Sequence, residues 1–391
     1  MPVTGGVHAL VRRAHEERVL AILREHGTLS RAQIAARSGL SRTTLSEITG
    51  DLLGRGAIVV TTTDAHRRAG SGRPAELLAL DPRSGQFLGV DLGHTRVRVV
   101  VADAAHEIIA SGVTPYPTKI SLPARIRAAL TLVDRLSRNQ DIGLSALQGV
   151  GVGVTGPHPA GIPQATADRD RGRSARDEVL AAFRERFAAP VLVGNNTRFA
   201  ALAEAGTTDA RDVLYIRLAD GIGGGLVVGG RLVAGAGGAA GEFGHVSAVP
   251  GGALCRCGKR GCLETVAAVA PALAAAGAAD LDDLAGRRHE PAVAAAMDRI
   301  AGAVGRVLAA AALVLDPELV VIGGPLVRAV PELVGGAARV IDAERITGQA
   351  LSVRAARLGD DDGARGAIAA IFRQSPLLDD YHETGPREDE R

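Results

Sequence analysis

The sequence predicts a multi-domain protein of the mixed α/β class. Three observations lead to this prediction. The first 80 residues have the apolar spacing of short helices followed by two strands, whereas from Phe87 onward buried strands alternate with helices. The stretches 87–101 and 213–233 both have the pattern of a strand, a glycine-rich turn and a second strand, which indicates two similar lobes. All three cysteines fall within residues 241–264, where we expect a local metal loop.

The length and composition are typical of a protein without membrane-spanning segments. The chain has 391 residues, enough for two or three domains, and a formal net charge of +2. It contains neither an apolar run of 18 residues nor the apolar core of a signal peptide. We therefore expect a cytoplasmic protein without a membrane partner. Thiols stay reduced in that compartment and are free to bind metal.

The first 60 residues have the pattern of three helices. Ser30 and Gln33 have the spacing of a capping box at the start of the second helix. Gly39 supplies a turn, Ser41 caps the third helix, and Leu45 begins its apolar face. This spacing fits a helix-turn-helix, although an ordinary three-helix bundle has the same pattern.

The segment that follows favours DNA binding over the plain bundle. Ile58–Thr63 and Glu76–Leu80 are predicted to be the two strands of a wing, with a basic turn between them. Residues 1–80 hold 11 arginines and 7 acids, a net charge of +4, whereas the rest of the chain carries −2. The positive charge lies where a nucleic acid would dock. We predict that base contacts in the grooves are made by Arg42, Thr43, Ser46 and, from the wing, Arg73.

The loop at residues 241–264 has the composition of a zinc site. Its candidate ligands are His245, Cys255, Cys257 and Cys262. One imidazole and three thiolates suit tetrahedral zinc, and four protein ligands leave no open position for an activated water, so the ion would be structural. The alternative is three unrelated buried thiols. A disulfide is disfavoured because the cysteine count is odd and Cys255 and Cys257 are too close to bridge comfortably.

The same loop carries a resemblance to a known family. Glu242-x-Gly-His245, followed by C-x-C-G-x-x-G-C-x-E ending at Glu264, resembles the sugar-site and zinc signature of the ROK family of repressors, open reading frames and sugar kinases. The resemblance covers about residues 10–375. It implies a bilobal fold similar to sugar kinases and actin, and the first 80 residues resemble the winged helix-turn-helix of ROK repressors. The expected divisions are a DNA-binding domain at 1–80, a first lobe at 81–195 with about 363–374, a second lobe at 196–362, and a disordered tail at 375–391.

The resemblance also implies a set of ligand contacts in the cleft between the lobes. The implied sugar-binding residues are Asn195, Asn196, Glu242, His245 and Glu264. His245 would use one ring nitrogen for zinc and the other for the ligand. Residues 164–175 lack the tryptophan-containing turn that many ROK proteins place over the sugar, so the resemblance does not identify the carbohydrate.

Two departures from the kinase pattern predict that the protein is not an enzyme and has no catalytic residue. ROK kinases have N-D-A-N at the position of residues 195–198, and its Asp is the general base; here Asn196 stands at that position. Asp91 and Gly93 resemble the first phosphate loop, whereas Asp220 occupies the second one, where the family has G-T-G. We expect a sugar-responsive repressor that binds a palindromic operator as a homodimer or tetramer. Two alternatives stay open: an active ATP-dependent sugar kinase fused to a DNA-binding domain, and a ligand-independent regulator with vestigial lobes.

Overall fold

The structure is a computed structural model of the chain. It describes residues 7–54, 56–63, 76–81, 85–103, 107–117, 119–140, 142, 144, 147–156, 174–346 and 351–373. Arg73, the turn of the wing, residues 164–173 and the tail at 375–391 lie outside the described residues. None of the helices in the described ranges combines the length and the apolar character that crossing a bilayer requires.

The N-terminal region is a winged helix-turn-helix, as the sequence predicts. Its elements are α1 (Val7–His26), β1 (Leu29–Ser30), α2 (Arg31–Ser38), α3 (Arg42–Gly54), β2 (Ile58–Thr63) and β3 (Glu76–Leu80), with the strands in the order β1-β3-β2. The capping box is present: the Ser30 hydroxyl accepts from the Gln33 amide, and the Gln33 side chain accepts from the Ser30 amide. Gly39 ends α2 at φ 69°, a left-handed conformation that favours glycine. The Gly39 cap makes the turn between α2 and α3, whereas the capping box fixes the start of α2.

The region after the wing forms a first five-stranded sheet in the order β6-β5-β4-β7-β8. Its elements are β4 (Gln86–Leu92), β5 (Arg96–Asp103), β6 (Ile108–Pro115), α4 (Leu122–Gln140), β7 (Leu147–Val154), α5 (Ala175–Arg186) and β8 (Val191–Asn195). The pair β4–β5 is the predicted hairpin. Neither β6 nor α4 was predicted; β6 extends the sheet at one edge, and α4 covers one of its faces.

A second five-stranded sheet has the order β11-β10-β9-β12-β13, so its strands follow the same spatial sequence as those of the first. The elements are α6 (Asn196–Ala205), β9 (Val213–Leu218), β10 (Ile222–Val228), β11 (Arg231–Val233), α7 (Glu264–Ala267), α8 (Val269–Ala276), α9 (Leu281–Arg287), α10 (Pro291–Leu315), β12 (Leu319–Gly323), α11 (Pro325–Ala329), α12 (Glu332–Ala343), β13 (Ser352–Ala355) and α13 (Asp362–Phe372). The predicted hairpin is β9–β10. The shared order confirms two similar lobes.

The helices α6 and α13 lie between the two sheets and pack closely on each other. Small residues allow the approach: a Cβ on Gly366 of α13 would overlap the Phe199 carbonyl oxygen of α6. On the other side, a Cβ on Gly151 of β7 would overlap the Ala367 carbonyl oxygen of α13. The amino-terminal ends of both helices, at Asn196 and Asp362, therefore reach the floor of the cleft between the lobes.

One apolar cluster joins the winged domain to the first lobe. It includes Leu20 and Leu23 of α1 together with Phe87 of β4 and Phe372 of α13, all buried. The rings of Phe87 and Phe372 meet edge to face with centroids 5.1 Å apart. The winged helix-turn-helix is thus packed against the sheet and against α13.

Candidate functional site

A cavity of about 250 Å³ opens between the lobes. Its lining includes four of the five residues implied to bind sugar: Asn195, Asn196, Glu242 and His245. The first lobe contributes residues around His94, and the turn between β9 and β10 contributes Asp220. Burial is the main cause that lowers the pKa of His94, and Arg256 adds to it. A neutral imidazole and several carboxylates and amides are groups that hydrogen-bond to hydroxyls.

The two asparagines at the start of α6 have different tasks. Asn195 caps the helix, because its Oδ1 accepts from the amides of Thr197 and Arg198, and its Nδ2 donates to the Gly156 carbonyl at 2.9 Å. Its amide is therefore occupied by backbone groups. Asn196 donates through Nδ2 to Asp91 at 2.8 Å. Asn196 also lines the cavity, and no partner of its Oδ1 is found among the described residues.

Arg198 holds Glu242 at the edge of the cavity. Its guanidinium lies 3.5 Å from a Glu242 oxygen and also donates to the carbonyl oxygens of Gly238 and Ala240. Burial lowers the pKa of Arg198, and the charge of Glu242 opposes that shift. The Glu242 side chain stays 22% exposed, so a ligand can reach it. Arg198 thus fixes the loop before Glu242 and directs its carboxylate.

Glu264 does not line the cavity among the described residues. Both of its oxygens accept from Arg256, at 2.8 and 2.9 Å, and one also accepts from the Ile222 amide at 3.0 Å. It joins the metal loop to the turn between β9 and β10. Arg256, which the sequence did not single out, lies at the cavity between Glu264 and the ligand space. A sugar contact by Glu264 stays a prediction.

The four predicted metal ligands come together. The ligand atoms of His245, Cys255, Cys257 and Cys262 all lie within 4.8 Å of one another. His245 Nδ1 is 3.6 Å from Cys255 Sγ, and the sulfurs of Cys257 and Cys262 are also 3.6 Å apart. A tetrahedral zinc ion separates nitrogen and sulfur ligands by about 3.5–3.8 Å, so the set fits this ion. Because Nδ1 faces the cluster, His245 keeps Nε2 for the cavity.

The loop geometry supports a metal in this position. The backbone N–H of Lys259 is the main cause that lowers the pKa of Cys257, whereas burial is the main cause that raises the pKa of Cys262 to about 12. Gly258 and Gly261 have φ of 88° and 70°, so the chain turns sharply between the last two cysteines. The loop folds back on itself, since the Cys255 amide donates to the Lys259 carbonyl and the Ala248 amide donates to that of Gly261.

A buried ionic network forms the floor of the cavity. Arg217 of β9 lies 3.6 Å from Asp91 of β4 and 3.3 Å from Asp362 of α13. Tyr215 donates to Asp362 at 2.5 Å, and Asn196 donates to Asp91. Burial alone would lower the pKa of Arg217, but Asp362, Tyr215 and Asp91 outweigh it and raise that pKa above its usual range. The guanidinium is thus a permanent cation that ties the two lobes together.

The predicted recognition helix presents its polar face outward. Arg42, Thr43 and Ser46 of α3 are exposed, whereas Leu45 and Ile48 of the same helix are buried in the domain core. An exposed polar face at the start of this helix is the geometry that major-groove reading requires. The DNA contacts themselves stay predictions.

Sequence reasoning missed three arginines of this site, Arg198, Arg217 and Arg256. A signal existed for one of them: Arg217 lies in the run VLYIRL, where every residue of the strand is buried. A charged residue in such a strand needs a buried partner. Its partners are 126 and 145 positions away, so the pattern alone could not name them.

Comparisons with known proteins agree with this architecture. Residues 87–374 match the ROK family model, and residues 12–59 match a model described as winged helix-turn-helix DNA-binding. The DNA-binding transcriptional dual regulator NagC of Escherichia coli is 29% identical over 265 residues, 66% of this chain and 63% of that protein. The chain thus spans less than two thirds of the length of that regulator.

Enzymes and regulators both occur among the similar proteins. A glucokinase of Halalkalibacterium halodurans is 29% identical over 328 residues, 76% of this chain and 98% of the enzyme. The crystal structure of a ROK family transcriptional regulator, a homolog of the E. coli MLC protein, has a TM-score of 0.69 at 22% identity and covers 94% of this chain and 98% of that one. At this identity the likeness shows the fold alone.

Proposed function

The chain belongs to the ROK family, and on that premise we propose that it is a DNA-binding transcriptional repressor that responds to a carbohydrate. The observation that carries the proposal is the union, in one chain, of an exposed recognition helix and a polar cleft joined through a continuous apolar cluster. We assign DNA binding to residues 1–80, the first lobe to 81–195 with about 363–374, and the second lobe to 196–362.

The cleft is proposed to bind a sugar without phosphorylating it. Asn196 stands at the position of the general base and cannot take a proton from a hydroxyl, and such a base supplies about 10²–10⁴-fold in rate. Its Oδ1, the Glu242 carboxylate and the free nitrogen of His245 remain as hydrogen-bond partners for hydroxyl groups. A site that keeps hydrogen-bond partners for a sugar but lacks the general base suits a sensor.

Zinc, when bound, would supply a structural cross-link and no chemistry. His245, Cys255, Cys257 and Cys262 fill the four positions of a tetrahedron. The cluster would hold the loop at 241–264, so that Glu242 and His245 keep their places at the cavity. Glu264 would act from the same loop by fixing Arg256.

The proposed DNA partner is a palindromic operator in the cytoplasm. A helix-turn-helix of this kind reads one half-site, and two copies related by symmetry read two. We therefore propose a homodimer or tetramer, with Arg42, Thr43 and Ser46 in the major groove and Arg73 in the minor groove.

Enrichment of genomic fragments by the full chain at low salt, followed by a thermal-shift screen over sugars, tests the proposal. We expect palindromic fragments to be retained, and at least one sugar to raise the unfolding temperature and change operator affinity. A ligand at 100 times its dissociation constant stabilises by about 2.7 kcal/mol. Failure to retain any fragment refutes the repressor. Retention without any effective sugar favours a ligand-independent regulator.

The alternative is a sugar kinase fused to a DNA-binding domain. It is favoured by the likeness to a glucokinase that the chain covers over 98% of its length. A coupled ADP-release assay over the same sugars separates the two functions. We expect no turnover above background. If turnover is observed and Asn196→Ala abolishes it, the protein is a sugar kinase and the sensor proposal is wrong.

A further inference from the structure

A second cavity among the described residues is distinct from the cleft between the lobes. It has a volume of about 1050 Å³ and lies where the DNA-binding region meets both lobes. One wall is α1, another is formed by β5, β6 and α13, and the third by the carboxyl end of α6 and the turn between β10 and β11. An occupant of this cavity would touch the DNA-binding region and both lobes at once.

The walls of this cavity are strongly basic. Six arginines and one aspartate, Asp209, line it, a net formal charge of +5. The arginines are Arg18, Arg37, Arg211, Arg231, Arg365 and Arg373. The guanidinium groups of Arg18, Arg37 and Arg211 donate to the carbonyl oxygens of residues 38, 33 and 229, and no carboxylate of the described residues lies within ion-pair distance of them. Carbonyl oxygens satisfy the donors but leave the positive charge uncompensated.

The floor of the same cavity is apolar. It is formed by side chains of β5, β6 and α13, among them Val100, Ile108 and Ile368. Arg365, at the edge of this floor, lies 3.9 Å from Asp361 through its terminal nitrogen, and its buried Nε has no acceptor in the described part of the chain. A suitable occupant therefore combines apolar groups with several negative charges.

We propose that the occupant is the C-terminal segment of this chain, residues 375–391. The segment follows Arg373, which itself lines the cavity, so the attachment point lies at the site. Its sequence, SPLLDDYHETGPREDER, has two leucines at 377 and 378, followed by six acids against two arginines, a net charge of −4. Six extended residues span up to about 20 Å, so Asp379 can lie at that distance from Arg373.

The proposal gives this segment a regulatory place. Because the cavity is built by α1 and by both lobes, the bound segment fixes the DNA-binding region against them. A change in the lobe arrangement changes the shape of the cavity and hence the affinity for the segment. This inference stands apart from sugar binding, since its residues do not include those proposed to bind the ligand.

Binding of a fluorescent peptide with the sequence of residues 375–391 tests the proposal. We expect the peptide to bind the shortened chain 1–374, and to bind the full chain about tenfold more weakly, since a tethered segment at a millimolar effective concentration competes with it. Raising the salt from low to about 1 M should weaken the binding, because exposed charges are then screened beyond about 3 Å. A peptide with Asp379, Asp380 and Glu383 replaced by amides is the matched control and should not bind.

Variants of the cavity locate the binding. The pair Arg211→Glu and Arg231→Glu should abolish peptide binding, whereas Arg287→Glu, which replaces an arginine outside the cavity lining, should leave it unchanged. If the shortened chain does not fold, as judged by circular dichroism, the full chain with Asp379→Asn, Asp380→Asn and Glu383→Gln replaces it and should bind the peptide more tightly than the wild type.

Three results would overturn the proposal. The peptide binds neither chain, or it binds both chains equally, or the charge reversals in the cavity leave its affinity unchanged. A thermal-shift measurement with pyrophosphate identifies the rival occupant: if pyrophosphate stabilises the shortened chain and the peptide does not, the cavity is a site for a small organic anion. None of these results depends on finding the sugar or the operator, so the proposed function is tested separately.

Discussion

Replacement of Arg217 by methionine should destabilise the ROK region strongly. The guanidinium lies between two carboxylates, at 3.6 Å from Asp91 and 3.3 Å from Asp362, and all three residues are less than 10% exposed. At an effective dielectric near 20, each attraction amounts to about 4–5 kcal/mol. Removing the cation also removes its own cost of burial, so the net loss is smaller. Breaking a buried pair by deleting one partner typically costs about 3–5 kcal/mol.

The loss can be measured as a shift of the thermal midpoint. For the region 87–374, an unfolding entropy of about 2 cal/mol/K per residue converts about 3–5 kcal/mol into about 5–8 °C. Differential scanning calorimetry of the full chain resolves this transition. Arg287→Met is the matched control, because Arg287 also pairs with two carboxylates, Asp283 and Glu290, but at the surface. Its midpoint should change much less.

The loss of stability caused by Arg217→Met should also depend on pH. Burial raises the pKa of Asp362 even though Arg217 and Tyr215 oppose it, and without Arg217 that pKa rises further. A carboxyl whose folded pKa is raised binds more protons in the folded state, so its stability contribution falls as the pH rises above the unfolded pKa near 4. The variant should therefore be closer to wild type at pH 5 than at pH 8. A shift below about 2 °C, or one equal at both pH values, would refute the reasoning.

Three further outcomes follow from the sites. Cys257→Ser should lower the zinc content of the purified protein from one ion per chain towards zero, as measured by elemental analysis. It should also abolish the sugar response in a thermal-shift assay. Wild-type protein with less than one zinc for every two chains would contradict the metal site. Glu242→Ala should keep operator affinity in a gel-shift assay but lose its change with sugar; loss of both would make Glu242 a folding residue. Arg42→Ala should cost about 1–3 kcal/mol at one base position, and an equal loss on every sequence would instead assign it to a phosphate.

Local patterns were sufficient for much of the fold. Val213–Leu218 is the first strand of the hairpin predicted at 213–233, and five of its six residues are apolar. Pro291–Leu315 starts with proline and keeps an apolar stripe, which is the pattern of a helix. The helix Leu122–Gln140 was missed although Ile126 and Ala129 open a regular apolar face, so the signal was present. The strand Ser352–Ala355 was also missed, and here the signal is weak, since only four residues pair at the sheet edge.

The candidate sites also contain features that the sequence predicts and contacts that it does not. The metal loop could be predicted because its four ligands lie within 18 residues. The partners of Glu264 and Glu242 could not, because the sequence does not tell that Arg256 and Arg198 are the cations that reach them. The floor of the cleft, where Arg217 meets Asp362, depends on the relative placement of two sheets. Only tertiary packing determines such contacts.

The contact between α6 and α13 limits how the lobes can move. Gly366 lies so close to the Phe199 carbonyl that sliding one helix along the other by a single residue, about 1.5 Å, would drive a side chain into the backbone. The close contact disfavours shear between the lobes and favours rotation about the crossing of the two helices. From there α13 runs about 9 Å to Phe372, which packs against the DNA-binding region. A lever of that length turns a small angular change in the cleft into a displacement of an ångström or two at the domain that would bind DNA.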